Sequence, residues 1–244
     1  MLHKSFITSI LLLLLFNSAH AESRNTNSDY VILLHGIART SKHMKKLEKH
    51  LEKENFTVIN IDYPSTKHSL EKLSDIIHND ISKNTEKGRT IHFVGYSMGG
   101  LLIRVVLSKY HYNNLGRVVQ LAPPNQGSEV ADKLKNNWLY KKVYGPAGQQ
   151  LITDQKEIKH LLADIDYEVG IIAGSRSVDP ISSLFMIKGR DDGKVSIEKT
   201  KLENAKSHII VKASHTFFPS KKEVQKQTVH FLKNGKFERN LKSN

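Results

Sequence analysis

The sequence predicts an α/β domain: a mostly parallel, doubly wound sheet of about six strands with helices on both faces. Three observations lead there. Short apolar runs rich in Val, Ile and Leu recur along the chain without polar alternation, which marks strands buried on both faces. Stretches with apolar residues at helical spacing separate most of them. Strand–helix–strand connections of this kind are right-handed crossovers, and they build parallel sheets with helices above and below.

The elements follow in order. YVILLHG (30–36) reads as a buried strand, and the helix after it carries Met44, Leu47 and Leu51 on one face, with Thr40 or Ser41 as N-cap. FTVINIDYP (56–64) is the next strand, closed by Pro64. Leu70, Leu73, Ile76, Ile77 and Ile81 repeat at helical spacing, and Gly88 stops that element. TIHFVGYS (90–97) and MGGLLIRVVLSKY (98–110) form the third strand and third helix. RVVQLAPP (117–124) and YEVGIIAG (167–174) read as strands with about forty residues between them. HIIVKAS (208–214) is the last strand and KEVQKQTVHFL (222–232) the last helix.

A chain of 244 residues with 39% hydrophobic content can bury one substantial core, and no linker-like stretch divides it. Its 37 Lys and Arg against 24 Asp and Glu give a formal charge of +13. The cations are spread along amphipathic segments such as SKHMKKLEKHLEKEN (41–55) rather than clustered with aromatics. That distribution suits a solvated face or attraction to anionic surfaces, and argues against nucleic acid as a partner.

The amino terminus, MLHKSFITSILLLLLFNSAHAES, carries Lys4, an apolar run from Phe6 to Phe16 and Ala19-His20-Ala21. This is the pattern of a secretory signal over 1–21, with a single domain over 22–244. The run is well short of the ~20 residues a membrane span needs, and the alternative is an uncleaved anchor. Export without any cysteine leaves the protein dependent on its core and suits a periplasmic or secreted bacterial protein.

Gly95-Tyr96-Ser97-Met98-Gly99 fits G-x-S-x-G between a predicted strand and a predicted helix. Glycines at both ends allow strand and helix to approach where a side chain would collide. The turn then lifts the Ser97 hydroxyl above the carboxyl edge of the sheet, facing the amino end of the next helix. A hydroxyl needs a base to take its proton, and the base needs an orienting acid. Where such an elbow occurs on this kind of sheet, the chain order is nucleophile, acid, base.

His215 lies just past the last strand in VKASHTFFP, where the base belongs. His43, His50, His68 and His78 fall on predicted helices before Ser97, and His92, His208 and His230 fall on elements away from the catalytic edge. For the acid, GRDDGKVS (189–196) offers Asp192 first and Asp191 second, and SRSVDP (175–180) offers Asp179 third. The oxyanion donors are expected to be the amide of Met98 and that of Ile37 in LLHGIART (33–40), with His35 bracing the loop. No spaced cluster of ligands suggests a metal, and the mechanism requires no cofactor.

With these residues in place, the sequence resembles the α/β-hydrolases of the bacterial lipase and esterase type over roughly residues 30–235. HG (35–36) is similar to the oxyanion-loop motif, GYSMGG (95–100) to the nucleophile elbow, and LAPPNQGS (121–128) to the segment after the next strand. DDGKVS (191–196) resembles the stretch that carries the acid in many such lipases, which favours Asp192 over Asp179, and SHTFF (214–218) matches the histidine loop. The antiparallel strands that usually open this fold are missing, as in the smallest lipases.

The resemblance places a cap or lid over about 125–165. Its core, 125–154, contains Trp138, Leu139, Tyr140, Val143 and Tyr144 beside lysines, which suits either contact with an anionic membrane surface or packing over an acyl pocket. The implied activity is hydrolysis of carboxylic esters or lipids by a monomer through Ser97, His215 and Asp192. An acyltransferase using the same residues and a non-catalytic lipid-binding or chaperone module on the same fold are the alternatives.

Overall fold

The structure, a computed structural model, describes residues 28–238 other than 157 and 163. The leader expected at 1–21 lies outside the described residues. Six strands form one sheet: β1 (Tyr30–Leu34), β2 (Thr57–Ile61), β3 (Ile91–Tyr96), β4 (Leu115–Leu121), β5 (Val169–Gly174) and β6 (Ser207–Val211). Their order is β2-β1-β3-β4-β5-β6 and every neighbouring pair is parallel. The chain moves outward from β1 to β2, then returns to the other side of β1 as β3. The crevice between the carboxyl ends of β1 and β3, registered Leu34 to Gly95, is therefore the point where the strand order reverses. Open α/β sheets bind ligands there.

The unalternating apolar runs have the expected cause. In β1, Tyr30, Ile32 and Leu34 join one core and Val31 and Leu33 the other, so all five are buried. Helices α2 (Leu70–Asn84) and α3 (Met98–Lys109) cover the first core with Leu73, Ile77, Leu101 and Leu102. Helices α1 (Lys45–Lys53) and α8 (Lys222–Asn234) cover the second with Leu47, Leu51, Phe231 and Leu232. Ser69 caps α2 through the Lys72 amide, and Gly235 at φ 66° ends α8 in the left-handed conformation.

Two expectations need correction, and one helix is added. The helix expected from Ser41 begins as a tighter 3-10 turn over Ser41–Met44, and Thr40 makes no side-chain cap bond. The Ser41 amide donates instead to Asp62 beyond β2, at 2.8 Å, so the start is set by a residue distant in sequence. His68 lies in the bend before α2, not on a helix. The loop holding Asp179 opens into α6 (Pro180–Phe185), where Asp179 is the N-cap and Pro180 the first residue.

Between β4 and β5 the chain forms α4 (Glu129–Leu134) and α5 (Trp138–Gln149), the latter kinked at Gly145 and Pro146. Gly145 is indispensable to the kink: its φ is 59°, and a Cβ there would stand 1.7 Å from the Thr66 carbonyl oxygen. The insertion is tied down at its far end, where Asp132 accepts from the Thr153 amide at 2.9 Å and hydroxyl at 2.6 Å. Gln150 also accepts from the Leu70 amide at 2.7 Å. A short α7 (Ile197–Thr200), capped by Ser196, follows the loop that holds Asp191 and Asp192.

Candidate active site

Ser97 sits between β3 and α3 with φ 54° and ψ −123°, a conformation L-residues avoid. The elbow is held by its glycines. A Cβ on Gly99 would lie 2.3 Å from the Leu34 carbonyl oxygen, and one on Gly95 would lie 2.4 Å from that of Gly99. The Ser97 amide also donates to the Leu121 carbonyl at 2.8 Å, fixing the turn to the end of β4.

Three loops converge on this hydroxyl. His215 Nε2 lies 3.0 Å from Ser97 Oγ, and His215 Nδ1 lies 2.7 Å from Asp192 Oδ2. The tautomer with its proton on Nδ1 satisfies both contacts, leaving Nε2 to accept from the serine. A backbone bond of 2.9 Å from the His215 amide to the Asp192 carbonyl couples the same two loops. The other carboxylate oxygen of Asp192 accepts from the amides of Lys194 at 3.0 Å and Val195 at 2.9 Å. Asp192 is thus enclosed by donors and 1% exposed, against 7% for Ser97 and 9% for His215.

The rival acids are engaged elsewhere. Asp191 accepts from Ser183 Oγ at 2.5 Å and from the Gly193 amide at 2.7 Å. Asp179 pairs with Lys194 Nζ at 2.7 Å and caps α6 through the Ser182 amide. The Lys194 hydrogen bond, aided by Ser182, holds the Asp179 carboxyl down at about 2. Asp192→Asn should therefore lower kcat by about 10⁴-fold, because the amide would stabilise the wrong imidazole tautomer. Asp191→Asn and Asp179→Asn should each stay within about tenfold of wild type. Steady-state kinetics of the three variants checks the order, and an equal or larger loss in either of the latter two would reverse the assignment.

The Ile37 loop reaches the same point. A Cβ on Gly36 would lie 3.2 Å from Ser97 Cβ, so the backbone passes directly beside Ser97. His35, fully buried, has Nδ1 2.8 Å from the Gly36 carbonyl oxygen and its ring stacked 4.1 Å from that of Tyr63. Burial holds its pKa below the usual histidine value, so the ring stays neutral and donates from Nδ1. In a trans peptide the carbonyl and the next N–H point in opposite directions. Pinning the Gly36 oxygen thus directs the Ile37 N–H away from the His35 ring. Met98 is the first residue of α3, and its N–H has no intrahelical acceptor.

Ser97 and His215 open into a cleft of about 160 Å³. Val130, Ala131, Leu134, Tyr140 and Leu151 from the insertion form its apolar wall, and Arg39 and Lys194 supply cations. Two residues were invisible as site residues in the sequence. Tyr96, the variable position of the elbow motif, donates from its hydroxyl to the His215 carbonyl at 2.7 Å and so ties the His215 loop to the elbow. His43 stacks on Tyr96 with ring centres 5.1 Å apart, and burial, aided by Arg39 and His215, lowers its pKa to about 4. No motif marks either role. Among the described residues, no group of three His, Asp or Glu side chains could hold a metal ion.

The parallel sheet with an elbow at its switch point has the fold of solved lipases and esterases. The fold of lipase BlEst2 from Bacillus licheniformis in its mature form is similar, with a TM-score of 0.70 at 18% identity over 88% of this chain and 95% of that one. A metagenomic carboxyl esterase, MGS0156, superposes with a TM-score of 0.64 at 15% identity, over 78% and 65% of the two chains. The phospholipase PlaB from Legionella pneumophila gives 0.56 at 17% identity, over 71% and 46%. No curated protein matches in sequence. Residues 30–161, more than half of the chain, match the palmitoyl protein thioesterase family, and the chain belongs to that family.

Proposed function

We propose that this protein is an exported serine hydrolase of carboxylic esters that works through an acyl-enzyme on Ser97. The observation that carries the reading is the continuous line from Asp192 through His215 to Ser97, with contacts of 2.7 and 3.0 Å. His215 Nε2 takes the hydroxyl proton as Ser97 Oγ attacks the ester carbonyl carbon. The Ile37 and Met98 amides stabilise the resulting oxyanion. When the ester C–O bond breaks, His215 returns the proton to the departing alcohol. Water then gives a proton to His215 and attacks the acyl carbon, releasing the acid and restoring the serine. Asp192 holds the imidazole in position and stabilises its charged form throughout.

The cleft is smaller than the ~300 Å³ at which drug-sized ligands are enclosed, so only the first part of a long acyl chain fits against Val130, Leu134 and Leu151. Hydrolysis of p-nitrophenyl esters tests this directly. In the absence of a lipid interface, kcat/KM should be highest for short to medium acyl chains and fall about tenfold or more towards palmitate. No hydrolysis of any member of the series would overturn the reading.

A second reading is favoured by the family match itself: an acyl thioester as substrate, cleaved by the same steps with a thiol as leaving group. Matched hexanoyl ester and thioester decide between them. A preference for the thioester well beyond tenfold would establish the second reading.

A further inference from the structure

Among the described residues, the exposed large apolar side chains are concentrated on the elements that also line the cleft. Among the described residues, nine large hydrophobic side chains are exposed, and only Ile210 is away from α5, the α6 region or the turn after His215. The most exposed are Trp138 at 71%, Leu184 at 76%, Phe185 at 72%, Ile181 at 65% and Phe217 at 64%. Tyr140 and Tyr144 of α5, Ser182 of α6 and His215 line the cleft, so the exposed apolar residues stand on the same elements that build it. On α6 the apolar residues Ile181, Leu184 and Phe185 stand at i, i+3 and i+4 and face out, while the polar Ser182 is buried. That is the reverse of a helix packed for water.

The fringe of this surface is cationic. Residues 136–152 include Lys141 and Lys142 and no acid, and residues 212–222 include Lys212, Lys221 and Lys222 and no acid. Around α6 stand Lys188 and Arg190; of the acids beside it, Asp179 is paired with Lys194 at 2.7 Å and Asp191 is buried against Ser183. A second copy of this chain would bring a like-charged fringe against it, whereas a surface both apolar and anionic complements it. No helix among the described residues is long and apolar enough to cross a membrane.

We propose that α5, α6 and Phe217 form a docking surface for an anionic lipid bilayer, seated in its interface with the mouth of the cleft towards the lipid. The purpose of the surface rests on the ester-hydrolase reading, but its geometry does not. Binding is therefore measured separately from hydrolysis, with Ser97→Ala as the vesicle-binding protein and a soluble ester as the activity substrate.

Trp138 is the only tryptophan of the chain and stands on this surface, so its emission reports contact without interference. Vesicles of phosphatidylcholine with about 30% phosphatidylglycerol should shift that emission to the blue and co-sediment the protein. Pure phosphatidylcholine should bind about tenfold more weakly, and high salt should narrow the difference. The double variant Leu184→Ser/Phe185→Ser should lose about tenfold or more in binding while its kcat/KM on a soluble ester stays within about twofold. Four results would each overturn the proposal: no shift with anionic vesicles, equal binding to both vesicle types, undiminished binding by the double variant, or a solution dimer that the double variant converts to monomer. If vesicles bind as expected but no ester is cleaved, the reaction assignment fails and the docking surface stands.

Discussion

Ser97→Ala should lower kcat on a soluble ester by about 10⁶-fold and leave the protein folded. The size of the loss follows from removing the attacking atom. His215 and Asp192 then have no nucleophile to activate, and only the oxyanion donors and the cleft remain, worth about 10³–10⁴-fold over water. The fold is spared because the hydroxyl's partner is His215 Nε2, at 3.0 Å, and not a structural group. The φ of 54° is as strained for serine as for alanine, so the substitution adds no backbone cost. Initial rates measure the first half of this expectation and thermal melting the second. A loss smaller than about a hundredfold in a folded variant would show that the ester is cleaved elsewhere.

The second large effect is on folding. Gly99→Ala should prevent soluble folding or lower Tm by about 10 °C or more. Its Cβ would stand 2.3 Å from the Leu34 carbonyl oxygen and 2.7 Å from that of His35, both backbone atoms with no torsion to yield. Either α3 or the end of β1 must move, at a cost on the order of 3 kcal/mol or more against a total stability of ~5–15 kcal/mol. The same shift would displace the Ile37 loop, so any folded fraction should also be slow. Gly100→Ala is the control. Its Cβ would meet only the side chains of Pro123 at 3.1 Å and Gln120 at 3.4 Å among close neighbours outside the elbow backbone, and a smaller loss is expected. A Gly99→Ala protein that melts within about 2 °C of wild type would refute the close-packing account of the elbow.

The strands were legible because β1, β3 and β5 are buried on both faces, and that condition writes itself as continuous apolar runs. Helices α2 and α8 were legible because each buries one stripe. What escaped was non-local or short. The 3-10 start before α1 depends on Asp62, a residue supplied from the end of β2. Helix α6 did leave a signal, Asp179 followed by Pro180, an N-cap and first-turn pair, but a six-residue helix carries too little periodicity to announce itself.

For the site, motif spacing brought Ser97 and His215 to one edge of the sheet, since each follows a strand of known position. Spacing ranks Asp192 ahead of Asp191 without a physical ground, since the two are adjacent and bounded by the same glycines. Their difference is rotational: one carboxylate turns to Ser183 and the other to His215. The exposed face of α6 was equally hidden, because apolar residues at i, i+3 and i+4 read as core until the neighbouring layers are known.

The central claim is that Ser97 is the nucleophile and His215 its base, and trapping with a fluorophosphonate followed by mass spectrometry tests it most directly. The account predicts a single adduct on the peptide containing Ser97, absent in Ser97→Ala and formed far more slowly in His215→Ala. An adduct on any other residue, or labelling of Ser97→Ala at the wild-type rate, would contradict it.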